Sequence, residues 1–433
     1  MDFISTRNKK NKQSLATAIR AGLADDGGLF VPEVLPTLDL TPLSPDLSYA
    51  DFSEKILRPF FEADVLQAHL STICQQALNF PVPVKTLTET TFLLELFHGP
   101  TLSFKDVGAR FLAGCLSRLS SESEGLTIMV ATSGDTGSAV ASAFYKQPHL
   151  NVIILYPRGQ VSERQAHQIT CFDDNVLALA VEGSFDHCQQ LVKTAFQHPW
   201  WQQHQHLTSA NSINIGRLLP QITYYAYTSL QFYRQQKSMP GFIVPTGNLG
   251  NATAAYYAKA MGFPIREIVL ATNANRVISD YLLTGDYHPR QSISTLANAM
   301  DVGNPSNFER LRHLFPDFSE FKKHVSAISV TDVEIEQTIA SCYREHATII
   351  CPHTATALFA RQQLSHQPWI VVATADPSKF DTVIEPIIHT KVPVSPALQF
   401  LLDRPTHSIQ VPPVLSKIEE VVKANLKLNE KFK

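Results

Sequence analysis

Leu126-Thr-Ile-Met-Val-Ala131 runs straight into Thr132-Ser-Gly-Asp-Thr-Gly-Ser138, and an alanine-rich stretch follows to Tyr145. The first run is apolar and strand-sized, and the last is small and helix-favouring, so a buried strand over 126–131 and a helix over 136–145 are predicted. The two glycines between them permit a tight turn. Hydroxyls and free backbone N–H groups then face one point, backed by the positive end of a helix dipole. Such a loop can cradle a carboxylate or phosphate. An ordinary helix cap needs a single hydroxyl or carboxyl, and the group here exceeds that.

The same alternation extends outward. Strands are predicted at 152–156, 176–181, 242–244, 267–271 and 369–373, and helices at 184–196, 252–261, 331–346 and 353–364. Strands alternating with helices imply an α/β fold with largely parallel sheets, whose ligands bind at strand–loop–helix junctions. Three regions are expected. Residues 1–95 read as mainly helical, with a loop at Asp25–Gly28 leading into LFVPEVLP. Residues 96–240 read as an α/β lobe carrying Lys105 and the hydroxyl-rich loop. Residues 241–433 read as a second α/β lobe.

Bulk properties narrow the function. A chain of 433 residues exceeds one ordinary core, and 44% hydrophobic with 17% charged residues is globular composition. With 36 basic against 39 acidic residues, nothing points to nucleic acid or an anionic membrane. Lys9, Lys10 and Lys12 read as a solvated edge. Six scattered cysteines without a C-x-x-C pair read as buried free thiols in a reducing compartment. The N-terminus lacks the apolar core of a signal peptide, and the longest apolar runs are too short to span a bilayer. A cytoplasmic protein is expected. Dinucleotide, P-loop, zincin and nucleophile-elbow motifs are all missing. His198, His204 and His206 read as a polar loop, and no metal is expected.

Three further segments carry chemistry. In His98-Gly-Pro-Thr-Leu-Ser-Phe-Lys105-Asp106 a lysine stands among apolar and small residues. Desolvation there would free its amine as a nucleophile or imine former; taken alone, Lys105 also reads as a surface lysine at a helix start. Pro245-Thr-Gly-Asn-Leu-Gly-Asn251 lies between a strand and a helix, where successive N–H groups could nest a phosphate dianion. Ser209-Ala-Asn-Ser-Ile-Asn-Ile-Gly-Arg217 offers an arginine with amides beside it. That suits a second anion, or else a surface arginine at a helix start.

Jointly these segments resemble the threonine synthases, pyridoxal-phosphate enzymes of the tryptophan-synthase β fold. The match begins at Ser5-Thr-Arg-Asn8 and Ala24–Pro32. It runs through GPTLSFKD, ATSGDTGSA, NSINIGRLLPQ and PTGNLGN to Asn298–Asn307, Pro352–Ala355 and Ala373–Phe380. Order and length are similar to the bacterial and fungal branch with an extended N-terminal region. The resemblance implies two open, mainly parallel sheets flanked by helices (fold type II). It also implies pyridoxal 5'-phosphate bound as an imine to Lys105. Gly247, Asn248, Leu249, Gly250 and Asn251 would hold the cofactor phosphate. Thr374 would offer its hydroxyl to the pyridine nitrogen, Ser133 and Thr136 would bind substrate, and Asn211 with Arg217 would take the substrate phosphate. The implied reaction is the last step of threonine biosynthesis. It turns O-phospho-L-homoserine and water into L-threonine and inorganic phosphate, with Lys105 as general base.

A phospho-lyase that releases phosphate but makes a 2-oxo acid needs the same lysine and cradles. A non-catalytic protein that kept the fold is the more distant alternative. A monomer or homodimer is expected. Three positions depart from the family: Asp135 stands where many relatives of the fold have asparagine, Asp376 replaces a usual histidine, and Cys351 replaces a common acid. An ionised Asp135 would repel the cofactor's phenolic oxygen, so it is expected to be protonated or turned away.

Overall fold

The computed structural model describes residues 1–121 and 125–425. It opens with β1 (Phe3–Ser5), β2 (Lys12–Gln13) and β3 (Phe30–Pro32), then β4 (Val84–Thr88) and β5 (Thr91–Glu95). Next come α1 (Lys105–Leu119), β6 (Leu126–Ala131), α2 (Asp135–Phe144), β7 (Leu150–Pro157), β8 (Val176–Val181), β9 (His206–Thr208) and α3 (Ile215–Gln236). The second half contributes β10 (Gly241–Pro245), α4 (Gly250–Ala260), β11 (Ile268–Thr272), β12 (Ser326–Ser329), α5 (Pro352–Arg361), β13 (Trp369–Ala373) and β14 (Ile409–Val411).

Two larger sheets result, ordered β12-β11-β10-β13-β5-β4 and β14-β8-β7-β6-β9, beside a small antiparallel sheet β2-β1-β3. Every pairing within the two larger sheets is parallel except β4 with β5. Central strands are buried along their whole length, as in β6 and β13. This is why they read as unbroken apolar runs: parallel strands with helices on both faces need no polar side.

Expectation and structure differ at several points. The stretch 84–95, read as part of a mainly helical region, holds the β4–β5 hairpin. β14 returns the C-terminal segment to the sheet of β6. The polar loop expected around His198–His206 is a short helix, Pro199–His204, followed by β9. Among the described residues no helix is long and apolar enough to cross a membrane.

Candidate active site

The loops after β5, β6, β10 and β13 leave the carboxyl ends of their strands and line one cleft of about 1140 Å³, holding Lys105, Ser133, Gly247 and Thr374. This is where open parallel sheets place ligands.

Lys105 opens α1. Its loop is zipped to the loop after β13, the strand paired with β5. Leu96 N donates to Ala373 O at 3.0 Å, Phe104 N to Thr374 O at 2.9 Å, and Asp376 N to Leu102 O at 3.1 Å. The lysine and Thr374 are thereby carried on neighbouring backbones. Asp106 lies beneath the loop and accepts from the N–H and hydroxyl of Thr101 at 2.9 and 2.7 Å. Gly99 packs on that carboxylate, where a Cβ would come within 2.6 Å of it. Lys105 is not a surface lysine: protein surrounds it, and its residual exposure faces the cleft. Desolvation pushes its amine down to about 8, against the pull of Asp135 and with the push of Lys379 and Arg217. An amine that sheds its proton this easily is a ready nucleophile.

In the loop after β6, Thr132 is consumed internally. Its hydroxyl receives Gly134 N at 3.0 Å and Gly137 N at 2.9 Å. Gly134 adopts φ 149°, and a Cβ there would meet Gln165 at 2.6 Å, so only glycine fits. Ser133 and Thr136 are left facing the cleft with no side-chain partner among the described residues. Asp135 is ionised and paired, so of the two expectations for it, protonated or turned away, the first does not hold. It pairs with Lys379 at 2.7 Å and accepts from Gln165 Nε2 at 2.9 Å. Burial alone would raise its pKa, but the Lys379 and Lys105 ammoniums hold it well below the usual carboxylate range.

After β10, Leu249 takes a left-handed φ of 62°, and Gly247 presses on the backbone of Met300, where a Cβ would lie 2.7 Å from Cα. The loop's side chains are mostly spent. Asn248 donates to Ser212 Oγ at 2.6 Å and accepts from Ser306 N at 2.5 Å. Asn307 ties the carbonyl of Asn248 to Ser212 Oγ, at 3.0 and 3.2 Å. The buried Arg310 donates to the carbonyls of Phe30, Ser212 and Ile213. Asn251 is different. Tyr224 and Tyr225 donate to its Oδ1 at 2.5 and 2.8 Å, and this orients a buried Nδ2 that has no partner among the described residues.

Arg217 sits in the first turn of α3 and is 3% exposed, so it is no surface arginine either. Its Nη1 donates to Ala210 O, while Nε and the Oδ1 of Asn211 are buried without partners among the described residues. Gly108, one turn beyond Lys105, allows the approach: a Cβ there would stand 2.7 Å from Arg217 O and 2.8 Å from Nε. Burial lowers the guanidinium to about 10, so it remains a cation at neutral pH. Asn214, in the same segment, is structural. It caps α3 through Gly216 N and donates to Ile19 O and Ser209 O.

Two groups given no role from the sequence stand in or behind the walls of the site. Lys379 is one. The other is His353 at the start of α5: its Nε2 accepts from Ala299 N at 3.2 Å, and desolvation pushes its pKa down to about 4. The ring is neutral, so its proton sits on Nδ1, buried and without a partner among the described residues. Asn251 Nδ2, His353 Nδ1 and the backbone N–H groups of the Gly247 loop are what a phosphorylated, polar ring cofactor would engage.

Residues 75–374 match the family described as "Pyridoxal-phosphate dependent enzyme", residues 2–78 match "Threonine synthase N terminus", and residues 350–422 match "Threonine synthase, C-terminal". The threonine synthase of Buchnera aphidicola subsp. Acyrthosiphon pisum is 37% identical over 425 residues, covering 97% of this chain and 99% of that protein. That of Escherichia coli K12 is 37% identical over 416 residues, covering 95% and 97%. The chain belongs to the threonine synthase family. Among solved threonine synthases, the Escherichia coli enzyme superposes with a TM-score of 0.91 at 35% identity, covering 98% of this chain and 100% of its own. The pyridoxal-phosphate-bound enzyme of Brucella melitensis gives 0.89 at 32%, covering 99% and 100%. Fold type II, expected from the motifs, is thus the fold of this threonine synthase family member.

Proposed function

We propose that the chain converts O-phospho-L-homoserine and water into L-threonine and phosphate. One observation carries this reading: Arg217, a buried cation whose Nε donor is unpaired among the described residues, shares a cleft with Lys105 and a second, separate anion loop. Two anion sites around one reactive amine suit a phosphorylated cofactor and a phosphorylated substrate.

Each residue then has a task. The backbone N–H groups of Gly247 to Asn251, with Asn251 Nδ2, would hold the cofactor phosphate. Lys105 would hold the cofactor covalently, and Thr374 would present its hydroxyl to the ring nitrogen. Bound pyridoxal phosphate supplies the electron sink. Ser133 and Thr136 orient the substrate. Arg217 offsets the charge on the departing phosphate, and the low-dielectric surroundings strengthen that interaction. Lys105, with its amine pushed down to about 8, is suited to take and return protons at Cα and Cβ. We place the protein in the cytoplasm, a reading supported by six buried cysteines that are all free thiols.

The test is product analysis. Purified enzyme given O-phospho-L-homoserine should yield threonine and phosphate in equal amounts, and Lys105→Ala should yield neither. Phosphate accompanied by a 2-oxo acid would replace this reading with the phospho-lyase.

A further inference from the structure

The roles above leave one buried ion pair unused. Lys379, 0% exposed, follows β13, and Asp135, 3% exposed, follows β6, so the pair bridges the two larger sheets. Lys379 Nζ donates to Asp135 Oδ1 at 2.7 Å and to the carbonyl of Thr101 at 2.8 Å. Thr101 belongs to the lysine loop and braces Asp106, the neighbour of Lys105. A single ammonium therefore joins three loops that meet at the reactive lysine. Burying two charges costs desolvation, and a well-packed neutral pair is often as stable, so stability alone does not account for them.

We infer that Asp135 and Lys379 are a positioning pair for Lys105: they fix its loop and set the charge its nitrogen experiences. The inference rests on the cofactor role given to Lys105 above. Several groups face that nitrogen. They are Asp135 from α2, Lys379 from the turn after β13, Arg217 from α3, and Cys351 and His353 from the start of α5. Asp106 follows Lys105 on α1, with its carboxyl taken up by Thr101. Burial raises the Cys351 thiol and lowers the His353 imidazole, so both are neutral near pH 7. The charge at the nitrogen is thus a contest between Asp135 and the two cations. Without Asp135, Lys105 stands among cations only. Without Lys379, it stands beside a bare carboxylate.

The test is a pH titration of the visible absorbance of the cofactor-loaded enzyme, which reports whether the Lys105 nitrogen carries a proton. It needs no substrate, so its outcome is independent of which product the enzyme makes. Asp135→Asn should move the midpoint down, and Lys379→Met should move it up, each by on the order of one pH unit. A purely structural pair would not give opposite signs. Each single variant buries a lone charge, so the neutral double variant keeps the question open to measurement if either fails to fold. Its midpoint should fall below that of the unaltered enzyme, because Asp135 acts on the nitrogen more strongly than Lys379 does. Unmoved midpoints, or singles that shift the same way, would overturn the inference.

Discussion

The loop after β10 and the segment leading into α3 are the two proposed anion cradles, and they are built by opposite means. In Gly247–Asn251 the side chain of Asn248 is spent on Ser212 and Ser306, and Gly247 is packed on the Met300 backbone, which leaves backbone N–H groups and one amide for the ligand. In Asn211–Arg217 a full positive charge is buried and left partly unpaired. Backbone N–H groups cost nothing to present at a helix start. A desolvated guanidinium is costly to keep and gains most when an anion arrives. The first design suits a phosphate that stays, and the second suits one that comes and goes with each turnover.

This contrast can be broken at several points. Gly247→Ala strikes the backbone cradle directly. Its Cβ meets backbone rather than a movable side chain, and such overpacking costs about 1–3 kcal/mol. Cofactor affinity, read by equilibrium dialysis, should drop roughly tenfold or more. Gly108→Ala strikes the other cradle from a distance by pressing on Arg217 O at 2.7 Å. It should lower kcat/KM about tenfold while cofactor content is unchanged. Asn211→Ala removes a neutral partner worth about 1 kcal/mol. KM for the phosphorylated substrate should rise several-fold, and a fall in cofactor content instead would merge the two cradles into one.

A further test of the site is a pH dependence. Only unprotonated Lys105 can react with free cofactor, and its amine is pushed down to about 8. Reloading of the cofactor-free protein should therefore speed up about tenfold per unit below that value and level off above it. A rate that still climbs past pH 10 would mean Lys105 is an ordinary solvated lysine.

Much of this was legible in the sequence because it is local. Unbroken apolar runs marked β6, β10 and β13, and glycine with hydroxyl clusters after them marked the loops. Residues 84–95 were less legible: β4 is mostly exposed, so its polar side chains hide a strand that only pairing with β5 creates. The partners of Asp135 were not legible. Lys379 is distant in sequence, and nothing near it signals burial or a carboxylate. Gly108 likewise looks like any glycine in a helix until α3 crosses it. Nor can sequence tell that Asn248 turns its amide to Ser212 while Asn251 keeps one free, because tyrosines from α3 decide the latter.

The separation of the two cradles is tested most directly by Arg217→Met, with two readouts on the same sample: cofactor absorbance, and binding of a phosphonate analogue of the substrate by calorimetry. Separate cradles predict full cofactor content with an unchanged visible spectrum, and analogue binding weakened by about a hundredfold, the scale of losing a buried charge partner. Loss of cofactor along with the analogue, or analogue binding as tight as before, would contradict them.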